Sequence, residues 1–288
     1  MNNTEQQRPQ TPVGAHVPVA GGMATKGLAY AEKIGAETVQ VFVSNPRGWA
    51  TNGGDPAQDA QMRERTDLPV FVHAPYLINP GTPNEETADK SITSMEHALL
   101  RSAEIGALGA VMHTGSAVSG TREDGLARAR ERLLPMLERL GGDVPPLLLE
   151  PMAGQGQVLC ATVDDLVPYF EALDWHPNVG VCLDTAHLFA AGHDISTVEG
   201  MREALDRFGE VVGADRLKLV HCNDSKEPCG SNKDRHENIG GGHIGTEPFA
   251  ELFRHPVTAG IPITLETPGP EGPHAEDVTT LKKLRAEA

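Results

Sequence analysis

The sequence predicts an α/β protein, a closed (β/α)8 TIM barrel, and three observations carry that expectation. Eight short apolar runs alternate with longer stretches of helical spacing. Seven of those runs end in, or lead straight into, a His, Asp or Glu. The longest irregular segments, residues 44–56, 74–84, 151–161 and 223–248, each follow one of the runs. Strand and helix alternating eight times have a barrel as their simplest closed solution, with an open doubly wound sheet as the alternative. A chain of 288 residues suits one such domain, since these barrels commonly run near about 250 residues.

The first run, VGAHV over residues 13–17, carries His16 near its end. The second, TVQVFV over 38–43, passes into a polar loop without a ligand-type residue. PVFVHA over 69–74 reaches His73, GAVMHT over 109–114 reaches His113, and PLLLE over 146–150 stops at Glu150. VGVCLD over 179–184 ends in Asp184, with His187 three residues on. LKLVHC over 217–222 contains His221, and PITLE over 262–266 ends in Glu266. Most runs are rich in Val, Ile and Leu and do not alternate with polar residues, as expected of parallel strands buried on both faces. Between them, Ile92, Met95, Leu99 and Ala103 recur at intervals of three and four, and Leu126, Leu133, Leu137 and Leu140 make a second stripe. Both stripes predict helices, over 85–106 and 123–140, with one apolar face packed inward.

Composition narrows the class. At 39% apolar and 22% charged the chain reads as a soluble globular protein, and no run approaches the roughly 20 apolar residues of a membrane helix. Residues 1–11, MNNTEQQRPQT, are polar and lack the apolar core of a secretory signal, so they read as a disordered tail preceding a single barrel over 12–288. Cys160, Cys182, Cys222 and Cys229 show no disulfide-framework or CxxC spacing, which suits reduced thiols in a cytoplasmic protein. The net charge of -16 argues against a generic nucleic-acid binder. Divalent ions among the acidic strand ends would reverse that sign locally.

In a barrel of this kind the strand-to-helix loops gather at the C-terminal rim. Nine candidate metal ligands fall there: His73, His113, Glu150, Asp184, His187, His221, Asp234, His236 and Glu266. Mixed imidazole and carboxylate donors suit zinc, and also manganese or iron. One catalytic zinc needs about three protein ligands, so nine candidates suggest a polynuclear site with a bridging carboxylate. The single residue between Asp234 and His236 puts both on one side of an extended segment. Asp184 and His187 leave a strand end together. Asp224, in NDSK, reads as a turn-forming or supporting residue.

The stretches GAHVPVAGG, HAPYLINP, LEPMAGQG, VGVCLDTAHLFAAGHD, HCNDSKEPCGS, DRHENIGGGHIG and LETP span residues 14–268. In them the chain resembles the endonuclease IV (deoxyribonuclease IV) family of AP endonucleases. The resemblance implies a xylose-isomerase-like barrel with three zinc ions, manganese or iron being possible at one site. His73, His113 and Glu150 would hold the first ion. Glu150 would bridge to a second, also held by Asp184, His221 and Glu266. His187, Asp234 and His236 would hold the third. The implied activity is hydrolysis of DNA on the 5′ side of abasic sites in base-excision repair, leaving a 3′-hydroxyl and a 5′-deoxyribose phosphate. Glu266, or else Glu150, would orient the attacking water. Arg47, Tyr76 and Leu77 match positions that the family inserts into the DNA stack. Lys226 and Arg235 are candidates for phosphate contacts. One barrel builds the whole site, so a monomer is expected.

Two departures stand out. Pro151 and Met152 follow Glu150 where the family commonly has an Asn-Thr pair, which predicts altered support for Glu150. Gly241 stands where an acidic residue is frequent, which predicts a looser loop. Two other functions remain open from the sequence: a metal-dependent sugar isomerase or epimerase on a related barrel, and a non-catalytic binder of damaged DNA. The first needs one or two metals, leaving Asp234, His236 and His187 without a task.

Overall fold

A computed structural model describes residues 10–269 and 271–288. Its strands are β1 Val13–His16, β2 Val39–Phe42, β3 Val70–His73, β4 Ala110–His113, β5 Leu147–Glu150, β6 Val179–Asp184, β7 Leu217–His221 and β8 Ile263–Leu265. Each falls within its expected run. They pair in parallel in chain order, and β8 pairs back onto β1 through Val13 and Ile263. Closure on both sides of β1 excludes the open sheet. Helices α1 Ala29–Ile34, α2 Pro56–Glu64, α3 Glu85–Ile105, α4 Arg122–Leu140, α5 Leu166–Ala172, α6 Thr185–Ala191, α7 Val198–Val211, α8 Glu251–Arg254 and α9 Glu271–Glu287 occupy the connections and the C-terminus. None of the described helices is long and apolar enough to cross a membrane.

Local sequence explains the two long helices. Asn84 caps α3 by accepting the Thr87 N–H, and Gly106, with φ 74°, ends it in the left-handed conformation. Thr121 and Asp124 form a reciprocal capping box at the start of α4. Of the predicted stripes, Met95, Leu99, Leu133 and Leu137 are fully buried, while Ile92, Ala103 and Leu140 pack against the core from partly buried positions.

The strands carry two faces. Phe71, Val111, Leu148, Cys182 and Leu219 form an apolar cluster separate from the main core. They lie two residues before His73, His113, Glu150, Asp184 and His221 on five successive strands. Side chains alternate along a strand, so the five donors stand on the same inward face, one layer nearer the C-terminal rim. The residues between, Val72, Met112, Leu149, Leu183 and Val220, belong to the main core shared with the helices. Apolar side chains on both faces account for the unbroken apolar runs. Closure is tight at Gly14, where a Cβ would fall 1.7 Å from the Thr38 carbonyl oxygen.

Of the tail expected over residues 1–11, residues 1–9 lie outside the described residues. Thr11 is buried, and its hydroxyl accepts the Gly260 N–H while its carbonyl accepts from Arg285. Arg285 on α9 also pairs with Glu37, which accepts the Val13 N–H and lies 3.1 Å from Lys282. One carboxylate therefore ties the start of β1 to the C-terminal helix. Burial opposes its charge, but Arg285, the Val13 N–H and Lys282 pull the Glu37 carboxyl down to about 2. Its stabilisation is fully present above the ordinary value of 4.5 and is lost as pH falls through about 2. Because Glu37 is partly exposed and screened, Glu37→Gln is expected to cost on the order of 1 kcal/mol at neutral pH. Urea unfolding of both proteins checks this, with the difference between them shrinking as pH drops below about 4. A difference that does not change with pH would assign the loss to packing.

Candidate metal centre

Three groups of donors converge at the C-terminal ends of the strands. They are His73, His113 and Glu150; Glu150, Asp184, His221 and Glu266; and Asp184, His187 and His236. Within each group the donor atoms lie within 4.8 Å of one another. Glu150 belongs to the first two and Asp184 to the last two. The ninth candidate, Asp234, lies 3.3 Å from His187 Nε2 and 3.1 Å from His236 Nε2, beside the third group. All nine sequence candidates thus come together. Asp184 reaches further than expected, since the sequence placed it with the second group alone.

Each donor is set by its element. His73, His113, Glu150, Asp184 and His221 are the last residues of β3 to β7, and Glu266 follows β8. Asp184 also caps α6: its Oδ1 accepts the His187 N–H at 2.9 Å, which fixes His187 in the first turn. Asp234 and His236 ride on a short antiparallel ribbon in which Asp224–Ser225 pairs with His236–Glu237. The Asp224 carboxylate accepts N–H groups from Ser225, Gly240, Gly242, Ile244 and Gly245. It builds the turn, as the sequence suggested, and fastens the loop in which Gly241 stands. A Cβ on Gly242 would fall 2.3 Å from Ser225 O, so only glycine fits there.

The imidazoles are oriented from behind. His73 Nδ1 donates to Ala74 O, His187 Nδ1 to Pro151 O and His236 Nδ1 to Glu266 O; His221 Nε2 donates to Gln40 Oε1. Each ring then turns its other nitrogen toward the carboxylates, the arrangement found in histidine metal ligands. The departure at Pro151 is thus compatible with ligand support, because the proline carbonyl orients His187.

Three supporting residues escaped the sequence reading as such. Gln40, fully buried on β2, donates to Glu266 Oε1 at 2.6 Å and lies 3.0 Å from His16 Nδ1. Asn223 donates to Asp184 Oδ2 at 2.7 Å and accepts the Glu266 N–H at 2.8 Å. His16 sits 3.7 Å from Glu266 Oε1. The available signal was a glutamine inside an apolar strand, since a buried amide requires partners.

The electrostatics are those of buried carboxylates interleaved with imidazoles. Burial opposes ionisation of Glu150, yet His221, His113 and His73 hold its carboxyl well below the ordinary range. Burial also disfavours a charged His236, but Asp184 and Asp234 push it up to about 9. His113, where burial dominates, falls to about 4. His236 Nε2 is buried with no well-directed hydrogen bond despite the nearby Asp234 oxygen. An orphaned buried nitrogen amid carboxylate oxygens fits divalent metal ions with a preference for mixed nitrogen and oxygen donors.

A cavity of about 360 Å³ opens over the donors, lined by Tyr76, His113, His187, Asp234, His236 and Glu266. Tyr76 is 46% exposed and its ring stacks on His113 at 5.7 Å. Its N–H donates to Pro46 O, joining its loop to the one that carries exposed Arg47. Leu77 is exposed beside it. Lys226 and Arg235 are exposed and face each other across the ribbon, where the Lys226 N–H donates to Arg235 O. A larger cavity, of about 690 Å³, lies next door between the loops after β1 and β2; its carboxylate Asp59 is engaged by Arg101.

Fold and site together define a barrel protein with three adjoining groups of candidate metal ligands at its rim. The family model described as xylose isomerase-like TIM barrel matches residues 28–284. The chain is 57% identical over 281 residues to probable endonuclease 4 of Streptomyces avermitilis, covering 96% of this chain and 91% of that one. It is 55% identical to probable endonuclease 4 of Streptomyces coelicolor, covering 96% of each. The crystal structure of endonuclease IV from Thermus thermophilus superposes with a TM-score of 0.85 at 31% identity, over 96% of this chain and 100% of that one. The chain belongs to the endonuclease IV family.

Two outcomes are expected. Removal of metal by a chelator should lower the melting temperature by on the order of 10 °C, since each lost ion withdraws its binding free energy, and differential scanning fluorimetry with zinc re-addition checks it. Asp224→Ala should destabilise the fold by on the order of 3 kcal/mol by leaving the buried Ser225 and Ile244 N–H groups unpaired and releasing those of Gly240, Gly242 and Gly245, measured by urea denaturation. A loss below about 0.5 kcal/mol would mean that the loop is held by other contacts.

Proposed function

We propose that this protein is a metal-dependent AP endonuclease, hydrolysing the phosphodiester on the 5′ side of abasic sites in double-stranded DNA during base-excision repair. The products are a 3′-hydroxyl and a 5′-deoxyribose phosphate. The observation that carries this reading is three donor groups joined through Glu150 and Asp184, in a chain more than half identical to proteins named endonuclease 4. His73, His113 and Glu150 would hold one ion, Glu150, Asp184, His221 and Glu266 a second, and His187, Asp234 and His236 a third. Zinc suits these donors, with manganese or iron possible at one position. When bound, divalent ions neutralise phosphate oxygens and lower the pKa of water enough to supply a nucleophile at neutral pH.

The protein's own groups divide the remaining work. Glu266 lines the open cavity with its side chain 14% exposed, whereas Glu150 is fully enclosed. That difference favours Glu266 as the carboxylate orienting the attacking water, with Glu150 as the bridging ligand. Tyr76 lines the cavity, and with exposed Leu77 beside it and exposed Arg47 on the adjoining loop it is a candidate to enter the DNA stack; extrusion of an abasic nucleotide requires no base pair to be broken. Lys226 and Arg235, both exposed, would be the candidates for phosphate contact. Local positive charge from bound ions would offset the acidic surface. One chain supplies every donor, so a monomer suffices, and free thiols suit a cytoplasmic enzyme.

The alternative of a sugar epimerase has support from fold alone: a D-tagatose 3-epimerase-like protein superposes with a TM-score of 0.73 at 18% identity. The third donor group, which such chemistry does not require, favours the nuclease. A non-catalytic damaged-DNA reading drew on the Pro151–Met152 departure, and the Pro151 carbonyl still supports His187. The test is a labelled duplex with one tetrahydrofuran abasic analogue. Incision 5′ to the lesion should disappear on chelation, return with zinc, and fall on the order of 100-fold or more in Glu266→Gln. Bound metal without incision would sink the reading and direct attention to sugars. Tyr76→Ala should raise KM for the lesion duplex more than it lowers kcat, as steady-state kinetics would show; an unchanged KM would remove Tyr76 from the DNA interface.

A further inference from the structure

We infer that Gln40 is a positioning residue for one metal position, the group formed by Glu150, Asp184, His221 and Glu266; the inference rests on the metal-dependent reading above. β2 brings no donor of its own to the site. Its contribution is a fully buried amide that touches two ligands of one group at once. Gln40 Oε1 accepts from His221 Nε2 at 2.8 Å, and Gln40 Nε2 donates to Glu266 Oε1 at 2.6 Å and to His16 Nδ1 at 3.0 Å.

Only one orientation of the amide satisfies this arrangement. Turned end for end, its oxygen would oppose the Glu266 carboxylate, and its N–H would meet a His221 nitrogen that must itself carry hydrogen. His221 Nδ1 faces Glu150 Oε1 at 3.0 Å, Glu266 Oε2 at 3.4 Å and Asp184 Oδ2 at 3.8 Å. That nitrogen can offer a lone pair to an ion only if Nε2 bears the proton, and Gln40 Oε1 is the acceptor that holds it there.

The same amide decides how Glu266 presents itself. With Oε1 bonded to Gln40, Glu266 turns Oε2 toward His221 Nδ1 at 3.4 Å and would present that oxygen to an ion held by the group. Glu150 differs: its Oε1 lies near His221 and His187, and its Oε2 near His73 and His113. Both of its oxygens point into the site, as bridging requires. Without the amide, the buried His221 N–H would lose its partner, and Glu266 Oε1 would keep only His16, at 3.7 Å. Asn223 supports Asp184 in a comparable way, but it also bonds to the backbone of Glu266. The Gln40 amide meets side chains alone, so its removal reports on the site rather than on the barrel.

The test uses Gln40→Met, which keeps length and loses all three hydrogen bonds, and Gln40→Glu, which keeps an acceptor for His221 but sets a negative charge against Glu266. Metal-free wild type and variants are titrated with zinc against a chromophoric chelator, and turnover on the abasic duplex is followed at limiting and excess zinc. Three zinc equivalents are expected in the wild type. In each variant one equivalent should weaken by about 10- to 100-fold while the others hold. The variants' kcat should fall at limiting zinc and recover at excess, with KM for DNA unchanged. Wild-type affinity in both variants, or equal weakening of every equivalent, would overturn the assignment. A wild type that takes up no zinc would overturn the metal reading itself and this inference with it. The two variants differ in charge but not in reach, so if one fails to fold the other decides.

Discussion

The buried carboxylate of Glu150 is the constraint on which the rest of the site depends. A charge with no solvent exposure is tolerated only where opposite charge and hydrogen-bond donors surround it. Here the compensation comes from imidazoles at the ends of β3, β4 and β7 and in the first turn of α6: His73 and His113 on one oxygen, His221 and His187 on the other. The barrel makes that ring possible because parallel strands deliver their last inward residue to the same rim. The apolar layer of Phe71, Val111, Leu148, Cys182 and Leu219 lies beneath and supplies a rigid, dry base.

That packing also explains the division of labour among the carboxylates. Glu150 and Asp184 are enclosed and shared between donor groups, so they fix how neighbouring groups are spaced. Glu266 and Asp234 line the open cavity, where a substrate could reach them. Asp184 does a third task by capping α6, which couples the position of His187 to the end of β6. Metal binding and the local fold are therefore linked.

The rim around the site is built to be held rather than to move. Asp224 gathers five N–H groups and fixes the ribbon that presents Asp234 and His236. The loops bearing Arg47 and Tyr76 are joined by a backbone hydrogen bond. Exposed aromatic, apolar and basic side chains thus project from a fixed scaffold, which limits the ordering cost of engaging a partner.

Much of this was legible in the sequence because the signals are local. Short apolar runs marked all eight strands, the stripes in α3 and α4 marked their buried faces, and the residues ending six of the runs named candidate donors. The spacing of Asp234 and His236 foretold their approach. The reach of Asp184 into the third group was not legible, nor was the role of Gln40, whose run had seemed to end in nothing useful. Gln40 meets Glu266 across 226 positions of sequence and His221 across 181. The sequence by itself determined which residues could bind metal and which strands carry them, since both follow from residue type and local period. Only the tertiary structure decided which donors stand together, which nitrogen of each histidine faces them, and which amides hold them, because those depend on distances that exist only once β8 has closed onto β1.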